Sequence, residues 1–340
     1  MRLEPPGWWY GVHASDRLKA ALLEPVGLLY GAAVKVLFAR TTPYRSALPV
    51  ICIGNFTVGG AGKTPLALAV AGMLREMEHA PAFLTRGYGG RLTGPHWVDA
   101  ERDEEGDVGD EALLLSRAAP TVLARKRPDG AKAIEARGAD VIIMDDGFQN
   151  PSLAKDLALI AVDGRTGLGN GRVFPAGPLR APLAFQTARA SAIVMIGAPG
   201  DGAGNIAAGE LPVIEASLQA CGETGWLTVQ PIVAFTGIGR PGKFFETLKE
   251  NGAKFAAEIP FPDHHGFTRP EAAALLARAE NSGALLVTTE KDWMRIPSDN
   301  GPLGALKDAA RTFPVALRFS GGGKTALAAQ LQALFPKTSR

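Results

Sequence analysis

Residues 48–64 read Leu-Pro-Val-Ile-Cys-Ile-Gly-Asn-Phe-Thr-Val-Gly-Gly-Ala-Gly-Lys-Thr, and this stretch decides the fold. Its first six residues are apolar and predict a buried strand, the glycines predict a tight turn, and residues 65–75 predict a helix. Backbone N–H groups of such a turn, with the positive end of the following helix, hold nucleotide phosphates. The sequence therefore predicts a phosphate-binding loop.

The side chains at the end of this loop predict where the phosphates and a Mg²⁺ ion bind. Lys63 would contact the outer phosphates, and Thr64 would hold the metal ion. The strict pattern G-x-x-x-x-G-K-S/T is not met, because Thr57 stands five positions before Gly62. An ordinary glycine turn that happens to precede Lys-Thr is the alternative. The nucleotide-binding residues predicted here are Thr57, Val58, Gly59, Gly60, Ala61, Gly62, Lys63 and Thr64.

Composition is that of a globular enzyme with no charge bias toward nucleic acid. The chain has 340 residues, of which 46% are hydrophobic and 21% charged, and its net charge is +2. This length predicts about two domains, and the charge balance requires no nucleic-acid partner. Two cysteines allow neither a disulfide framework nor a zinc cluster, which fits the reducing cytosol.

The order of apolar patterns predicts the fold class. Strand patterns alternate with helical ones, which indicates an α/β fold: a P-loop NTPase-like parallel sheet covered by helices, with a second, smaller α/β/α domain. The smaller domain is predicted to contain strands near 231–235, 255–259, 284–288 and 315–319. The predicted organisation is an N-terminal membrane-associating helical segment (1–45), a P-loop domain (46–200), a linker (201–230), the second α/β domain (231–320) and a C-terminal helix (321–340).

The N-terminal segment has features of a membrane interface. Trp8, Trp9 and Tyr10 precede an apolar stretch from Leu18 to Ala39 that is edged by basic residues, and aromatic, apolar and basic residues together suit that environment. The alternative is a helix packed on the domain. No uninterrupted run reaches the ~18 apolar residues of a spanning helix, so no span is predicted.

Carboxylates and histidines supply candidates for phosphoryl-transfer chemistry. Asp145 and Asp146 follow a buried strand and would bind the metal ion, unless they form a solvated turn. Asp110 and the pair His264-His265 are candidate bases, although Asp110 could simply cap a helix. Arginines in glycine-rich loops at predicted strand ends would clamp phosphates, or serve only solubility. These arginines are Arg86, Arg91, Arg172 and Arg180.

Seven motifs in order resemble one known family. They are Gly54 to Pro65, Thr85-Arg-Gly-Tyr-Gly89, Val108-Gly-Asp-Glu111, Asp145-Asp-Gly-Phe-Gln149, Gly169 to Arg180, Phe261-Pro-Asp-His264 and Thr289-Glu-Lys-Asp292. Together they closely resemble the tetraacyldisaccharide 4'-kinase family of Gram-negative bacteria. One departure is Asn150, which stands where the family's Asp-Asp-Gly-Phe-Gln-His has histidine.

The resemblance implies an activity and a set of residue roles. It implies ATP- and Mg²⁺-dependent phosphorylation of the 4'-hydroxyl of a tetraacylated glucosamine disaccharide 1-phosphate, between two α/β/α domains, peripherally at the cytoplasmic face of the inner membrane. Asp110 would be the catalytic base paired with His264, and Asp145 and Asp146 would form part of the metal site. The expected partners are the lipid substrate and the membrane surface, with no nucleic acid and no obligatory protein partner. Arg86, Arg172 and Arg180 are expected to bind substrate.

Three other functions can be compared with this one through the residues that each would require. A membrane-associated nucleotide switch would carry K-G-G-x-G-K-S/T, but Val58 occupies the place of the signature lysine. A GTP-dependent assembly factor would want N/T-K-x-D, whereas Glu290-Lys-Asp-Trp293 misses that spacing by one residue. Another sugar or nucleoside kinase would differ only in its acceptor. The second glycine motif, Gly321-Gly-Gly-Lys-Thr325, is interpreted as a helix cap.

Overall fold

The structure is a computed structural model that describes residues 6–11, 13–200 and 211–335. Its strands are β1 (Val50–Gly54), β2 (Pro81–Thr85), β3 (His96–Trp97), β4 (Thr121–Leu123), β5 (Val141–Asp145), β6 (Leu157–Asp163), β7 (Ala192–Ile196), β8 (Val213–Ala220), β9 (Ile232–Thr236), β10 (Phe255–Pro260), β11 (Leu285–Thr288), β12 (Ala310–Thr312) and β13 (Val315–Phe319). Its α-helices are α1 (Ala14–Arg40), α2 (Lys63–Glu76), α3 (Glu105–Val108), α4 (Asp110–Ser116), α5 (Arg127–Glu135), α6 (Leu183–Thr187), α7 (Pro241–Glu250), α8 (Arg269–Ser282), α9 (Glu290–Arg295), α10 (Pro302–Ala309) and α11 (Gly323–Gln332).

Two sheets organise the chain into a large and a small unit. The large unit is built on nine strands in the order β13-β8-β7-β6-β1-β5-β2-β4-β3. The small unit is built on four parallel strands in the order β10-β9-β11-β12. The predicted fold class, an α/β fold with a mostly parallel sheet and a second smaller sheet, is confirmed.

β1 lies at the centre of the large sheet, and its position creates the site. It pairs in parallel with β5 on one side and β6 on the other, with Ile53 opposite Asp145 and Gly54 opposite Ile160. The carboxyl ends of parallel strands meet at one edge, where α/β folds bind ligands. The loop after β1 and the aspartates after β5 therefore lie at the same edge.

Both faces of the large sheet are buried, because its central strands are apolar on both sides. One face packs on α2 through residues such as Ile51, Ile53 and Leu74, which have no exposed surface. Cys52 and Ile142 lie in the core on the opposite face. Burial of this much apolar surface stabilises the sheet and makes its edge a rigid platform.

The predicted assignment of two segments to domains is corrected. Residues 315–319, predicted for the small unit, form β13 in the large sheet, where Leu317 pairs with Leu218 of antiparallel β8. Residues 213–220, predicted within the linker, form β8 itself; residues 201–210 of that linker lie outside the described residues. Apolar periodicity identifies a strand but does not tell which sheet it joins. Here Leu317 packs in the large core together with Leu327 of α11.

The small unit is consequently inserted between two strands of the large sheet. The chain leaves through β8 and returns through β13, and α11 then packs back on the large unit. Gly321-Gly-Gly-Lys-Thr325 opens α11, as the cap interpretation predicts, and Lys324 pairs with Glu76 of α2 at 2.9 Å. The described part of the predicted C-terminal helix is therefore a component of the large unit.

Helix α1 packs on the large unit with one face only. Gly27 and Gly31 are buried, and a Cβ at Gly27 would lie 2.8 Å from the Val173 carbonyl oxygen. Eight large apolar residues of the helix are exposed. The exposed residues are Leu18, Leu22, Val26, Leu28, Leu29, Tyr30, Val36 and Leu37. By length and composition α1 could cross a membrane. This corrects the sequence-based expectation that no helix spans. That expectation counted uninterrupted apolar runs, and Glu24 and Lys35 interrupt the run although the helix continues through both.

The two cysteines should differ sharply in reactivity. Cys52 is buried in β1, and burial raises the pKa of its thiol to about 12, whereas Cys221 is exposed. Because the thiolate is the reactive form, we expect one thiol per native chain to react rapidly with a colorimetric disulfide reagent at pH 8, and two after denaturation. Rapid reaction of both thiols in the native protein would contradict the burial of β1.

Candidate active site

The loop between β1 and α2 has the geometry of a phosphate-binding loop. The Asn55 side-chain amide donates to the carbonyl oxygens of Thr57 at 2.6 Å and Gly59 at 3.1 Å, which folds the loop back on itself. Gly62 adopts a φ of +84°, and a Cβ there would lie 2.6 Å from Cδ1 of Ile196. Glycine is therefore required immediately before α2, whose first N–H groups and dipole favour an anion.

Lys63 is the first residue of α2 and turns toward the aspartates after β5. Its ammonium lies 3.8 Å from Oδ1 of Asp146, and only 11% of its side chain is exposed. Gly59 and Gly60 on the same loop are exposed, which leaves space for close approach of a ligand to the backbone. The loop thus presents backbone donors and one cation to the sheet edge.

Arg180 connects the loop to the aspartates. Its Nε donates to the Thr57 carbonyl at 3.0 Å, and its Nη1 donates to Asp146 at 3.1 Å and to Gln149 at 3.3 Å. Burial would raise the pKa of Asp146, but the charges of Lys63 and Arg180 outweigh it and hold the pKa below its usual value. Asp146 is consequently an anion that organises two phosphate-directed cations.

Asp145 is the carboxylate with features of a metal ligand. It is buried at the end of β5, and neither carboxylate oxygen has a hydrogen-bond partner within the described part of the chain. Burial, reinforced by the charges of Glu111 and Asp146, raises its pKa to about 7. An orphaned buried carboxylate beside a phosphate loop suits a divalent cation, which would supply the missing charge.

Glu111 completes the acidic edge and was not among the predicted site residues. Its Oε1 accepts a hydrogen bond from the Thr64 hydroxyl at 3.4 Å and one from the Lys291 ammonium at 2.7 Å. Across residues 6–11, 13–200 and 211–335, no three acidic, histidine or cysteine side chains converge closely enough to hold a metal ion by themselves. This fits Mg²⁺, which takes one or two carboxylates and completes its shell with phosphate oxygens and water.

Asp110 lies where the two units meet. It begins α4 of the large unit, yet its Oδ2 accepts hydrogen bonds from Nε of Arg295 at 2.7 Å and from Nη2 of the same guanidinium. Nδ1 of His264, also from the small unit, lies 3.3 Å from the same oxygen. We call Asp110, His264 and Arg295 the Asp110 cluster.

The Asp110 cluster keeps its carboxylate ionised and exposes only the imidazole. Burial alone would raise the pKa of Asp110, but the hydrogen bond with His264 and the charges of Arg295 and Lys291 outweigh it and hold the pKa well below its usual range. Asp110 is 1% exposed, whereas His264 is 22% exposed. The imidazole is therefore the member of the cluster that solvent or a ligand reaches.

The structure brings most predicted site residues to this edge. Lys63, Thr64, Asp145, Asp146 and Arg180 gather around the loop, and His264 reaches Asp110 as predicted from the motifs. Of the other predicted substrate arginines, Arg86 follows β2 at the same edge and is exposed, and Arg172 forms an ion pair with Glu24 of α1. His265, another predicted candidate, pairs with Glu271, and Asn150, the departure from the family motif, accepts a hydrogen bond from the Ser152 N–H.

Lys291 and Arg295 are site residues that sequence reasoning missed. Both come from α9, which begins with the Thr289-Glu-Lys-Asp292 motif. The motif itself was visible, but nothing local indicates that a helix of the small unit contacts α4. Arg295 follows Asp292 by three positions, which is the spacing of neighbours on a helix; this spacing indicates the ion pair within α9 but not the contact with Asp110.

Comparisons with known proteins agree with this arrangement. A family model described as tetraacyldisaccharide-1-P 4'-kinase matches residues 19–335. The tetraacyldisaccharide 4'-kinase of Methylobacterium nodulans is 50% identical over 339 residues, covering 98% of this chain and 97% of that protein. The protein of that name from Paramagnetospirillum magneticum is 51% identical over 298 residues, covering 87% and 90%. A crystal structure of LpxK from Aquifex aeolicus in complex with ATP has a similar fold, with a TM-score of 0.72 at 24% identity over 93% of this chain and 99% of that one.

Because the pKa of Asp145 is raised, the free energy of unfolding should depend on whether this carboxyl is protonated, and therefore on pH. The folded state binds this proton more tightly than the unfolded chain, so the stability from protonation is present below about pH 4 and lost as pH rises to about 7. In metal-free buffer we expect Asp145→Asn to gain stability relative to the parent across that window, by about 1.4 kcal/mol per unit of pKa shift at most.

Thermal unfolding of the parent and variants from pH 4.5 to 8 measures this effect. Asp146→Asn is the matched control, because the pKa of Asp146 is lowered and the stability linked to it is lost only as pH falls below its usual value. Because burial raises the pKa of Asp145 more than the charge of Asp146 does, the stability difference between Asp146→Asn and the parent should change less over this range than that of Asp145→Asn. A constant difference for Asp145→Asn would contradict the assignment.

Proposed function

The chain belongs to the tetraacyldisaccharide 4'-kinase family, and we propose that its two units carry out that reaction at the cleft between β1 and α9. The enzyme is an ATP-dependent kinase that phosphorylates the 4'-hydroxyl of a tetraacylated glucosamine disaccharide 1-phosphate in lipid A biosynthesis. The observation that carries the residue assignment is the contact between Thr64, at the end of the phosphate loop, and Glu111, the chain neighbour of Asp110. One side supplies the phosphate cradle and the other a proton acceptor.

The phosphate side of the cleft holds the donor. Backbone N–H groups of the loop, with Lys63 and Arg180, would bind the phosphates of ATP and spread the negative charge that develops during transfer. Thr64 with Asp145 or Asp146 would hold Mg²⁺, which neutralises phosphate charge when bound.

The opposite side of the cleft receives the acceptor. The 4'-hydroxyl oxygen forms a bond to the terminal phosphorus, the bond to the bridging oxygen breaks, and ADP leaves with that oxygen. The hydroxyl proton passes to the pair His264 and Asp110, in which the buried carboxylate stabilises an imidazolium that forms at the exposed ring. Asp110 is in this account the anionic partner of the pair.

A GTP-dependent function is disfavoured by the contacts of Asp292. Its carboxylate accepts hydrogen bonds from the Thr236 hydroxyl at 2.6 Å, the Gly237 N–H at 2.9 Å and the Arg295 guanidinium at 2.9 Å. It is completely buried. An aspartate that recognises guanine needs carboxylate oxygens that are free to accept hydrogen bonds from the base. The oxygens of Asp292 instead accept hydrogen bonds from residues of the small unit.

We also propose that the enzyme attaches peripherally to the cytoplasmic face of the inner membrane through α1. On a helix of 3.6 residues per turn, Leu18, Leu22, Val26 and Leu29 lie within about 80° of arc, and all four are exposed. The opposite face of α1 is docked on the loop that contains Arg172. A helix docked along one face and apolar along the other suits the interface, where the lipid substrate resides.

Two substitutions separate the donor and acceptor sides of the cleft. We expect Lys63→Met to lower kcat at least ~100-fold and to raise the KM for ATP, because it removes a charge from both ground and transition states. Asp110→Asn should lower kcat by about 10²–10⁴-fold with little change in that KM. Transfer of label from γ-³²P-ATP to the lipid disaccharide 1-phosphate in mixed micelles measures both.

Lys324→Met is the matched control for these variants. Lys324 belongs to the second glycine-lysine-threonine motif but pairs with Glu76 on the surface. The kcat of the Lys324→Met variant should therefore stay within about twofold of the parent value. Full activity of Asp110→Asn would show that His264 needs no anionic partner and would remove Asp110 from the mechanism, and full activity of Lys63→Met would remove the phosphate loop from it.

Membrane attachment is tested on the exposed face of α1. The double change Leu22→Glu and Leu29→Glu should weaken binding to vesicles containing anionic phospholipid at least tenfold, because two leucines no longer enter the interface. Val229→Glu, at an exposed apolar residue of the small unit, should bind as the parent does. Sedimentation with vesicles measures the bound fraction, and unchanged binding of the double variant would reject the proposal.

A further inference from the structure

We propose that Arg295 is a positioning residue for phosphoryl transfer: it holds the Asp110 carboxylate and the His264 imidazole together across the junction of the two units. This role rests on the proposed function and extends it to a residue on α9. Arg295 does not itself contact the phosphate loop. Its effect on the reaction would come through the two groups that receive the proton.

The contacts of Arg295 reach both units at once. Nε and Nη2 donate to Oδ2 of Asp110 in the large unit, while Nη1 donates to the Gly237 carbonyl at 2.7 Å and to Oδ1 of Asp292 at 2.9 Å in the small unit. Nη2 also lies 3.3 Å from Nδ1 of His264. All three nitrogens of the guanidinium are therefore engaged.

Arg295 is itself held rigidly, so that it can position other groups. Its side chain is 2% exposed, and Asp292 beneath it is fully buried. Asp292 is fixed in turn by the Thr236 hydroxyl and by the Thr289 hydroxyl, each at 2.6 Å. The planar guanidinium presents its donors in a fixed fork, which determines where the carboxylate of Asp110 sits.

The backbone at His264 is held by the same carbonyl oxygen that accepts a hydrogen bond from Arg295. His264 has a φ of +55°, in the left-handed region that favours glycine. Its N–H donates to the Gly237 carbonyl at 2.9 Å, the same oxygen that accepts from Arg295. Arg295 thus contacts both the backbone that holds His264 and the carboxylate that pairs with its ring.

A second ion pair joins the two units at the same junction without contacting Asp110. Lys291, one turn before Arg295 on α9, pairs with Glu111 at 2.7 Å. Since this pair also joins α9 to α4, docking of the two helices does not depend on Arg295 alone. The specific contribution of Arg295 is the alignment of Asp110 with His264.

The proposal is tested with four variants in the lipid phosphorylation assay. They are Arg295→Met, Arg295→Lys, Asp110→Asn and the double variant Asp110→Asn with Arg295→Met. Arg269→Met is the control, because Arg269 forms an exposed ion pair with Asp299 in the same unit. For each protein, kcat, the KM for ATP and the thermal unfolding midpoint are measured.

A positioning role predicts a defined pattern. Arg295→Met should lower kcat at least ~50-fold with a change in the KM for ATP below about threefold, and Arg295→Lys should recover part of the loss because it keeps the charge but not the fork. In the Asp110→Asn background, Arg295→Met should lower kcat no further than about twofold, because its partner is already absent. Arg269→Met should match the parent.

Several outcomes would overturn the proposal. A folded Arg295→Met with kcat near that of the parent would do so, as would an equal additional loss in the Asp110→Asn background, which would mark a general structural effect. Should Arg295→Met fail to fold, Arg295→Lys and the double variant, in which both charges are removed, decide by the same criteria. A parent that does not phosphorylate the lipid overturns the proposed function, whereas an active parent with an equally active Arg295→Met overturns only this role.

Discussion

Asp110 carries a negative charge that is buried at the junction of two units, and burial of a charge is tolerated only where a partner compensates it. The large unit supplies the carboxylate, and the small unit supplies Arg295 and His264. The proton acceptor of the proposed reaction is consequently complete only when both units are docked. The phosphate loop, in contrast, belongs wholly to the large unit and is shaped by β1, β5 and the glycine at position 62.

The nucleotide half of the site could be predicted from sequence because its determinants are local. A strand, a glycine turn and Lys63-Thr64 lie within seventeen residues, and backbone geometry follows from them. Asp145 and Asp146 could be placed beside them because strand ends in a parallel sheet share an edge. Arg295 and Lys291 could not be placed, since the contact between α9 and α4 depends on how two separate cores dock, and no periodicity in the chain encodes that contact.

The prediction that residues 315–319 belong to the small unit is wrong for the same physical reason. Residues 315–319 have the apolar character of a strand in either unit, and the choice is made by long-range packing of Leu317 and α11 against the large core. In this topology the small unit is joined to the large sheet through two adjacent antiparallel strands, β8 and β13. Both connections therefore leave the same sheet edge.

The most direct measurement of the account is a crystal structure with Mg²⁺, a non-hydrolysable ATP analogue and a soluble analogue of the disaccharide 1-phosphate. The account predicts the terminal phosphate on the loop beside Lys63 and the 4'-hydroxyl of the sugar within hydrogen-bond reach of His264, with Asp110 behind the imidazole. A sugar bound away from the junction of the two units, or nucleotide phosphates bound outside the loop, would contradict it.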